Sequence, residues 1–279
     1  MTITSRLRGP TGRPSDSRTQ GLSGLILAGM LILPLPAIAQ QAPAQGYVFT
    51  ANETGNSVSR VDLATGAVST LPLPIAPHNV QVTPDMRKLL VVGAPMASGS
   101  EHSGAGHGQM QMPVRMTGAG QLLVLDPLDL QAAPVVIAVG NHPAHVVADG
   151  DGRRAFVTNS EDDTITVVDL VAGRVTHTLP AGDYPHGLRL SPDGRQSLVA
   201  NVADGTVSLF DAETLDEITR IPVGKAPVQV GFLPDGARAY VSLRDEDAVA
   251  VIDLASRTVI GRIPVGDGPI QLYATPDGR

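Results

Sequence analysis

The sequence predicts an all-β protein made of repeated four-stranded units. Prolines recur at a spacing of 42 residues, short β-branched or aliphatic runs follow them, and Pro-Asp-Gly or Asp-Gly turns separate those runs. After residue 46, no stretch keeps helical spacing long enough to predict a helix. The class expected is therefore one in which many short strands are joined by tight turns.

The repeat has a clear register. A proline precedes an alternating run in each unit, at Pro77, Pro143, Pro185, Pro227 and Pro269. The last three intervals are 42 residues each, whereas the first is 66, which is 24 longer. A second marker, an aspartate that ends another run, keeps the same register at Asp62, Asp126, Asp169, Asp211 and Asp253.

One unit shows the strand pattern in full. Its predicted strands are Pro185–Leu190, Ser197–Asn201, Thr206–Phe210 and Ile218–Val223. Four short strands in about 40–45 residues form one blade of a β-propeller, in which each blade buries its faces against its neighbours. We therefore predict a β-propeller of four-stranded blades, with five repeats visible.

Several segments then resemble the YVTN-repeat β-propeller family. They are Tyr47-Val48, Phe156-Val157-Thr158-Asn159, Leu198-Val199-Ala200-Asn201 and Tyr240-Val241, with Pro-Asp-Gly-Arg turns at Pro192–Arg195 and Pro276–Arg279. The resemblance covers residues 46–279. It implies an exported propeller, often seven-bladed, and a relation to the domain that holds haem d1 in periplasmic nitrite reductases.

The two ends of the repeat region leave the blade arrangement open. The region starts with a second strand at Gly46–Ala51, and a first strand follows Pro269. The C-terminal strand could complete the N-terminal blade and close a five-bladed propeller, which removes open sheet edges. The alternative is a truncated seven-bladed propeller.

The first 39 residues have the pattern of a secretory signal peptide. Four arginines precede an apolar run from Leu22 to Leu33, and the small-residue site Ala37-Ile38-Ala39 follows. The run is shorter than the ~20 residues of a spanning helix. We expect cleavage after Ala39, a short linker at 40–45 and a propeller at 46–279 located in the periplasm without a membrane span.

Composition excludes several functions. The chain has 20 basic and 27 acidic residues, a net charge of −7; residues 1–39 hold four of the basic and one of the acidic, which leaves 16 and 26, or −10. That balance argues against nucleic acid as a partner. The absence of cysteine excludes thiolate metal sites and a c-type haem. No nucleophile or zinc-protease motif is present after residue 46, so no catalytic residue is predicted.

The extra residues of the first long interval form a Gly/Ser-rich insertion at about 94–120, between the second and third strands of one blade. It holds four of the five methionines that follow the signal peptide. Thioethers suit Cu(I), and imidazoles suit copper, zinc and iron. The candidate metal ligands are Met96, His102, His107, Met110, Met112 and Met116. An unconstrained loop, or a loop that docks a protein partner through methionine contacts, is the alternative.

Histidines also stand where the first strands begin, on the face that the insertion overhangs. His78, His145 and His186 are the candidate cofactor-binding residues, and His142 lies just before one of these strands. His78 and His186 follow their prolines by one position and His145 by two, so alternation predicts that the three do not point alike. A symmetric three-histidine site is therefore not expected, and each could serve as a hydrogen-bonded structural residue.

Acidic residues cluster on loops of the same face, at Glu53, Glu161, Asp162, Asp163, Asp204, Asp245, Glu246 and Asp247. Asn56, Asp163 and Asp247 fall at one fixed turn position and are predicted to be structural. The remainder predicts a negative rim that favours cations. Taken together, the sequence predicts an exported, non-catalytic propeller that binds a ligand, with copper as the expected metal. A haem-binding or redox propeller and a scaffold for a periplasmic protein partner are the alternatives.

Overall fold

Nineteen β-strands build the part of the chain that the computed structural model describes, which is residues 45–95, 119–275 and 277–278. They form five antiparallel sheets, the first with three strands and the other four with four strands each. Each later sheet follows the chain in strand order. The predicted all-β class with four-stranded units of 42 residues is confirmed.

The strand bounds follow the repeat. Blade 1 contains β1 (Tyr47–Asn52), β2 (Ser57–Asp62) and β3 (Val68–Pro72). Blade 2 contains β4 (Ile75–Val82), β5 (Leu89–Pro95), β6 (Gln121–Leu125) and β7 (Val135–Ala138). Blade 3 contains β8 (Pro143–Ala148), β9 (Arg154–Asn159), β10 (Thr164–Asp169) and β11 (Arg174–Pro180). Blade 4 contains β12 (Pro185–Leu190), β13 (Gln196–Asn201), β14 (Thr206–Asp211) and β15 (Glu217–Pro222). Blade 5 contains β16 (Pro227–Phe232), β17 (Arg238–Leu243), β18 (Ala248–Asp253) and β19 (Thr258–Pro264), with one turn of 3-10 helix at Arg244–Glu246.

Neighbouring blades meet through their first strands, and the hydrophobic core lies between the sheets. Strand β4 contacts β8, β8 contacts β12, and β12 contacts β16. Between blades 4 and 5, for example, Leu209 and Val241 are both fully buried in one cluster. First strands that adjoin one another around a common centre are the arrangement of a β-propeller, and they bring the starts of these strands together at one face.

The asparagine that ends the second strand of a blade is a structural part of the repeat. Asn201 is fully buried, and its amide donates to Thr206 Oγ1 and Ser208 Oγ, both at 2.9 Å, while its Oδ1 accepts the backbone N–H of Gly182. Asn159 makes the equivalent bonds in blade 3. The asparagine of the motif that carries the family resemblance thus links the third strand of its own blade to the loop that enters this blade from the preceding one.

Replacing Asn201 with alanine is expected to lower the free energy of unfolding by about 2 kcal/mol, because buried donors and acceptors lose their partner. Urea unfolding at constant slope measures the change. Asn141→Ala is the matched control: its amide donates to Asp162 near the surface, and the expected loss is below about 1 kcal/mol. Equal losses in the two variants would contradict this role.

The two ends of the repeat region do not pair with each other among the described residues. Strand β1 pairs only with β2, whereas the segment after Pro269 lies against blade 5. There Ser242 Oγ donates to the carbonyl of Ile270, and Gln229 donates its amide to Gln271 Oε1. Thr158 Oγ1 makes the same contact with the carbonyl of His186, so residue 270 occupies the place equivalent to His186 in the repeat that follows blade 5. The pairing that a closed five-bladed arrangement requires is therefore not found in the part of the chain that the structure describes.

The described residues contain no helix with the length and hydrophobicity needed to cross a membrane. The predicted signal peptide at 1–39, its cleavage site and the linker at 40–45 lie almost wholly outside the described residues, and they stay predictions.

Candidate functional site

A β-bulge interrupts the first strand in blades 2, 3 and 4, and the histidines lie in these bulges. The ladder between β4 and β5 shifts between Pro77 and Asn79, which leaves His78 as the extra residue. In blades 3 and 4 the shift spans the two residues after the proline, so that His145 and His186 lie within it. A bulge re-aims a side chain relative to simple alternation. The phase argument from the sequence, which predicts that His145 points differently from His78 and His186, takes no account of these bulges.

Four histidine rings consequently come together at the start of the first strands. The ring centres of His78 and His186 are 5.4 Å apart, and those of His145 and His186 are 5.0 Å apart. His142 and His145 lie 6.0 and 6.5 Å from His78, respectively. The closest nitrogen contact joins His78 Nε2 to His186 Nε2 at 3.4 Å. We call His78, His142, His145 and His186 the histidine cluster; it spans blades 2 to 4.

Glu53, on the loop between β1 and β2, brings blade 1 to the same site. His78 Nδ1 lies 3.3 Å from Glu53 Oε1. When Nδ1–H donates to this carboxylate, the lone pair of a neutral His78 is on Nε2, which faces His186. A carboxylate behind a histidine is the arrangement that orients metal-binding imidazoles in proteins.

The two most deeply buried histidines are held in the neutral form. Burial, together with the nearby His186 and His78, holds the pKa of His145 well below its usual value. Burial, His78 and His142 lower the pKa of His186 to about 3, although the Val228 carbonyl opposes the shift. Nδ1 of each has no hydrogen-bond partner among the described residues. Neutral imidazole is the form that binds metals.

The residues just before the strand prolines complete the site. His142, Tyr184 and Ala226 occupy equivalent places in blades 3 to 5, and each has a left-handed backbone with φ of +50°, +56° and +48°. Tyr184 Oη lies 3.4 Å from His142 Nδ1. The repeated turn thus sends one side chain per blade toward the site, which sequence alternation alone does not reveal.

Two smaller features fix the spacing of the first strands here. Gly187 follows His186, and a side chain at that position would collide with the Val228 carbonyl and with Gln229. Thr158 accepts the N–H of His145 and donates to the carbonyl of His186, at 3.1 and 2.7 Å. The backbones that carry two of the histidines are therefore tied through one hydroxyl.

A cavity of about 870 Å³ opens beside the cluster and extends toward blade 5. Glu53, His78, His142, Tyr184 and His186 line it at one end. The blade 5 side presents the apolar Ala226 and Val228 together with the charged side chains of Lys225, Arg244 and Asp245. A cavity of this size lies in the usual range for small-molecule sites.

The predicted acidic rim is largely engaged in holding loops. Asn56, Asp163 and Asp247 do adopt left-handed turn conformations, with φ of 45°, 53° and 50°. Asp162 accepts the N–H of Asn141, and Glu246 accepts that of Lys225. These carboxylates are structural anchors of the loops and not a ready ligand set.

The remaining metal-ligand predictions cannot be placed. Met96, His102, His107, Met110, Met112 and Met116 lie outside the described residues. The segment that holds them leaves blade 2 after Pro95 and returns at Gln121, in the blade that carries His78. Among the described residues, no group of three or more His, Asp or Glu side chains is arranged so that it could hold a metal ion.

The comparisons with known proteins bear on the fold. A chain of hydrazine synthase from Kuenenia stuttgartiensis is similar in structure, with a TM-score of 0.60 and 23% identity over 72% of this chain and 53% of that one. This chain thus spans about half the length of that relative, and the likeness concerns the fold alone. Comparison with curated proteins gives no match. The predicted relation to the haem-d1 propeller stays a prediction. The model of the YNCE-like β-propeller family matches residues 131–279, which is more than half of the sequence, and the chain therefore belongs to that family.

Proposed function

We propose that this protein is an exported, non-catalytic propeller that binds a transition-metal ion at the histidine cluster. The observation that carries the proposal is the 3.4 Å separation of His78 Nε2 and His186 Nε2. Two nitrogens bound to one ion at about 2.0–2.1 Å in tetrahedral geometry are about 3.3–3.4 Å apart. The pair thus has the spacing of one edge of a tetrahedral site.

The surroundings of the pair support binding of a metal over a purely structural contact. With Nδ1–H of His78 on Glu53, the contact between the two Nε2 atoms would need a proton on His186 Nε2, and an ion would take the place of that proton. Glu53 supports His78 from behind, and burial keeps His186 neutral. His145 has an unpartnered, fully buried Nδ1 in the same cluster.

Tetrahedral nitrogen sites favour zinc, and also Cu(I), which shares its filled d shell. Copper is the metal expected from the methionines of the insertion, and the cluster is compatible with it. We therefore propose copper or zinc, with the ion held by His78 and His186 and with His145 and His142 within reach of small side-chain movements. The insertion would capture copper before it reaches the cluster.

The test is the metal content of the purified protein together with chelator competition for Zn(II) and Cu(I). One equivalent is expected at the cluster, and His186→Gln or His78→Gln is expected to weaken its binding at least ~100-fold, since one of two preset ligands is lost. His177→Gln is the control, because His177 is exposed on the outer strand β11. Unchanged affinity in both cluster variants would overturn the proposal.

Deleting residues 97–117 separates the cluster from the insertion. If the cluster is the site, the shortened protein keeps one equivalent with unchanged affinity, and only metal held by the insertion is lost. Loss of all metal on deletion, with the His186→Gln variant unaffected, would place the site in the insertion instead.

A further inference from the structure

We infer that the cavity beside the histidine cluster binds a small organic chelator bearing an anionic group, and that it does so as a ternary complex with the metal. This inference rests on the proposed function, since the metal is one of the contacts that would hold the molecule. It adds a second ligand, of a defined chemical class, to the site.

The coordination of a metal at the cluster leaves room for such a ligand. His78 and His186 supply the preset nitrogen pair, and no third ligand is already in place among the described residues. Both rings line the cavity. Positions on the ion that the protein leaves open therefore face a cavity of about 870 Å³, large enough for a compact organic molecule.

The walls of the cavity suit an apolar body. Val202, Ala203, Pro222, Ala226 and Val228 line its blade 4 and blade 5 sides. Val228 and Ala226 are buried, and Ala203 is exposed at the rim. A flat or compact carbon skeleton would pack here and be removed from water.

Three carboxylates and two cations line the cavity, and an anionic group on that body would pair with one of the cations. Its carboxylates already have partners: Glu53 faces His78, Asp245 binds Arg244 at 2.7 Å, and Asp204 accepts the N–H of Asp183. Lys225 forms no side-chain ion pair within 4 Å among the described residues, and the two carboxylates on which its charge acts, Asp245 and Glu246, are bound to Arg244 and Arg262. An ammonium at the rim of an apolar cavity attracts a carboxylate or sulfonate on the ligand.

A chelator of this kind has three parts that match three parts of the site. Its nitrogen or oxygen donors complete the metal coordination, its carbon skeleton fills the apolar walls, and its anion pairs with Lys225. The site would thus take up the metal as a small complex and not only as a free ion.

The experiment uses 8-hydroxyquinoline-5-sulfonate, which has a bidentate donor, a flat apolar body and an anion, and which fluoresces when bound to Zn(II). The protein is titrated into the zinc–probe complex while fluorescence intensity and anisotropy are followed. A ternary complex keeps the fluorescence and raises the anisotropy. We expect Ala203→Phe, which fills the cavity, to weaken this complex at least ~10-fold, and Lys225→Gln to weaken it ~3–10-fold, while both variants bind Zn(II) alone as the wild type does.

Matched controls and the other outcomes keep the two proposals apart. Ala255→Phe makes the same substitution in the exposed turn that follows β18, away from the cavity. This variant should leave the ternary complex unchanged. If the protein binds zinc but strips it from the probe, so that fluorescence is lost without a rise in anisotropy, the inference is wrong and the proposed function stands. Equal binding of the metal-free probe overturns the ternary complex as well. If neither zinc nor the probe complex is bound, the proposed function itself fails.

Discussion

At pH 5 the metal-free protein is expected to be about 2 kcal/mol less stable than at pH 7 on account of His186 alone. Burial lowers the pKa of His186 from 6.5 to about 3 in the folded state. Between these values the unfolded chain binds a proton that the folded protein excludes. The stability is therefore complete above about pH 6.5 and decreases as the pH falls toward 3. His145, whose pKa is lowered in the same direction by burial, adds to the loss.

The groups that face these two rings oppose protonation. His78 and His142 lie beside His186, and Arg244 adds a positive charge on the blade 5 side. His145 faces His186 and His78, with Arg189 as the nearest fixed cation. Glu53 is the carboxylate of the cluster, and it contacts His78 and not the two buried rings. Protonating either buried ring would thus place a charge in a site without a compensating carboxylate next to it.

Urea unfolding of the metal-free protein at pH 7 and pH 5 measures the effect, provided that the slope stays constant. His186→Gln should remove about 2 kcal/mol of the difference between the two pH values, whereas the exposed His177→Gln should remove none. The turn carboxylates with lowered pKa values, such as Asp169 and Asp211, titrate below this interval and do not contribute. A pH dependence that is the same in wild type and His186→Gln would contradict a buried neutral histidine.

The fold could be predicted from the sequence because its determinants are local and repeated. In each repeat a proline precedes the first strand, Asp-Gly turns separate strands, and alternating runs form the strands. Asn201 and Asn159 also make the same hydrogen bonds in their blades. The arrangement of the two ends was left open, since it depends on which sheet accepts the segment after Pro269. The structure places that segment on blade 5 through Ser242.

The candidate site could be predicted only in part. The sequence predicts His78, His145 and His186 at one face, with His145 pointing differently from the other two, but simple alternation takes no account of the bulges at which the three rings come within 6.5 Å of one another. In β4 and β8 no glycine marks the bulge after the proline, whereas in β12 Gly187 lies within it and is a sign of a bulge that alternation alone does not use. The role of Glu53 does not follow from the sequence for a related reason. Glu53 is in blade 1 and contacts His78 of blade 2, 25 residues away. The sequence pattern alone groups it with the other acidic residues of the rim.

Glu53 is expected to contribute 10–100-fold to metal affinity without touching the ion. Its carboxylate accepts Nδ1–H of His78, which fixes the ring and keeps Nε2 available toward His186. Such outer carboxylates typically have effects of this size on metal binding. In Glu53→Ala the ring of His78 can turn and adopt the other tautomer, so the spacing of the nitrogen pair is lost.

Two substitutions and one control distinguish this positioning role from a general effect of rim charge. Glu53→Ala should weaken zinc binding 10–100-fold, and Glu53→Gln should weaken it less, because an amide oxygen still accepts Nδ1–H but lacks the charge. Asp245→Asn removes a carboxylate from the same cavity, but one that binds Arg244, and should change the affinity less than ~3-fold. The partial recovery in Glu53→Gln supplies the second readout: a mere loss of rim charge would weaken binding equally in Glu53→Ala and Glu53→Gln, because both variants lack the carboxylate charge. If Glu53→Ala and Asp245→Asn weaken binding equally, the effect is that of the rim charge, and Glu53 has no positioning role.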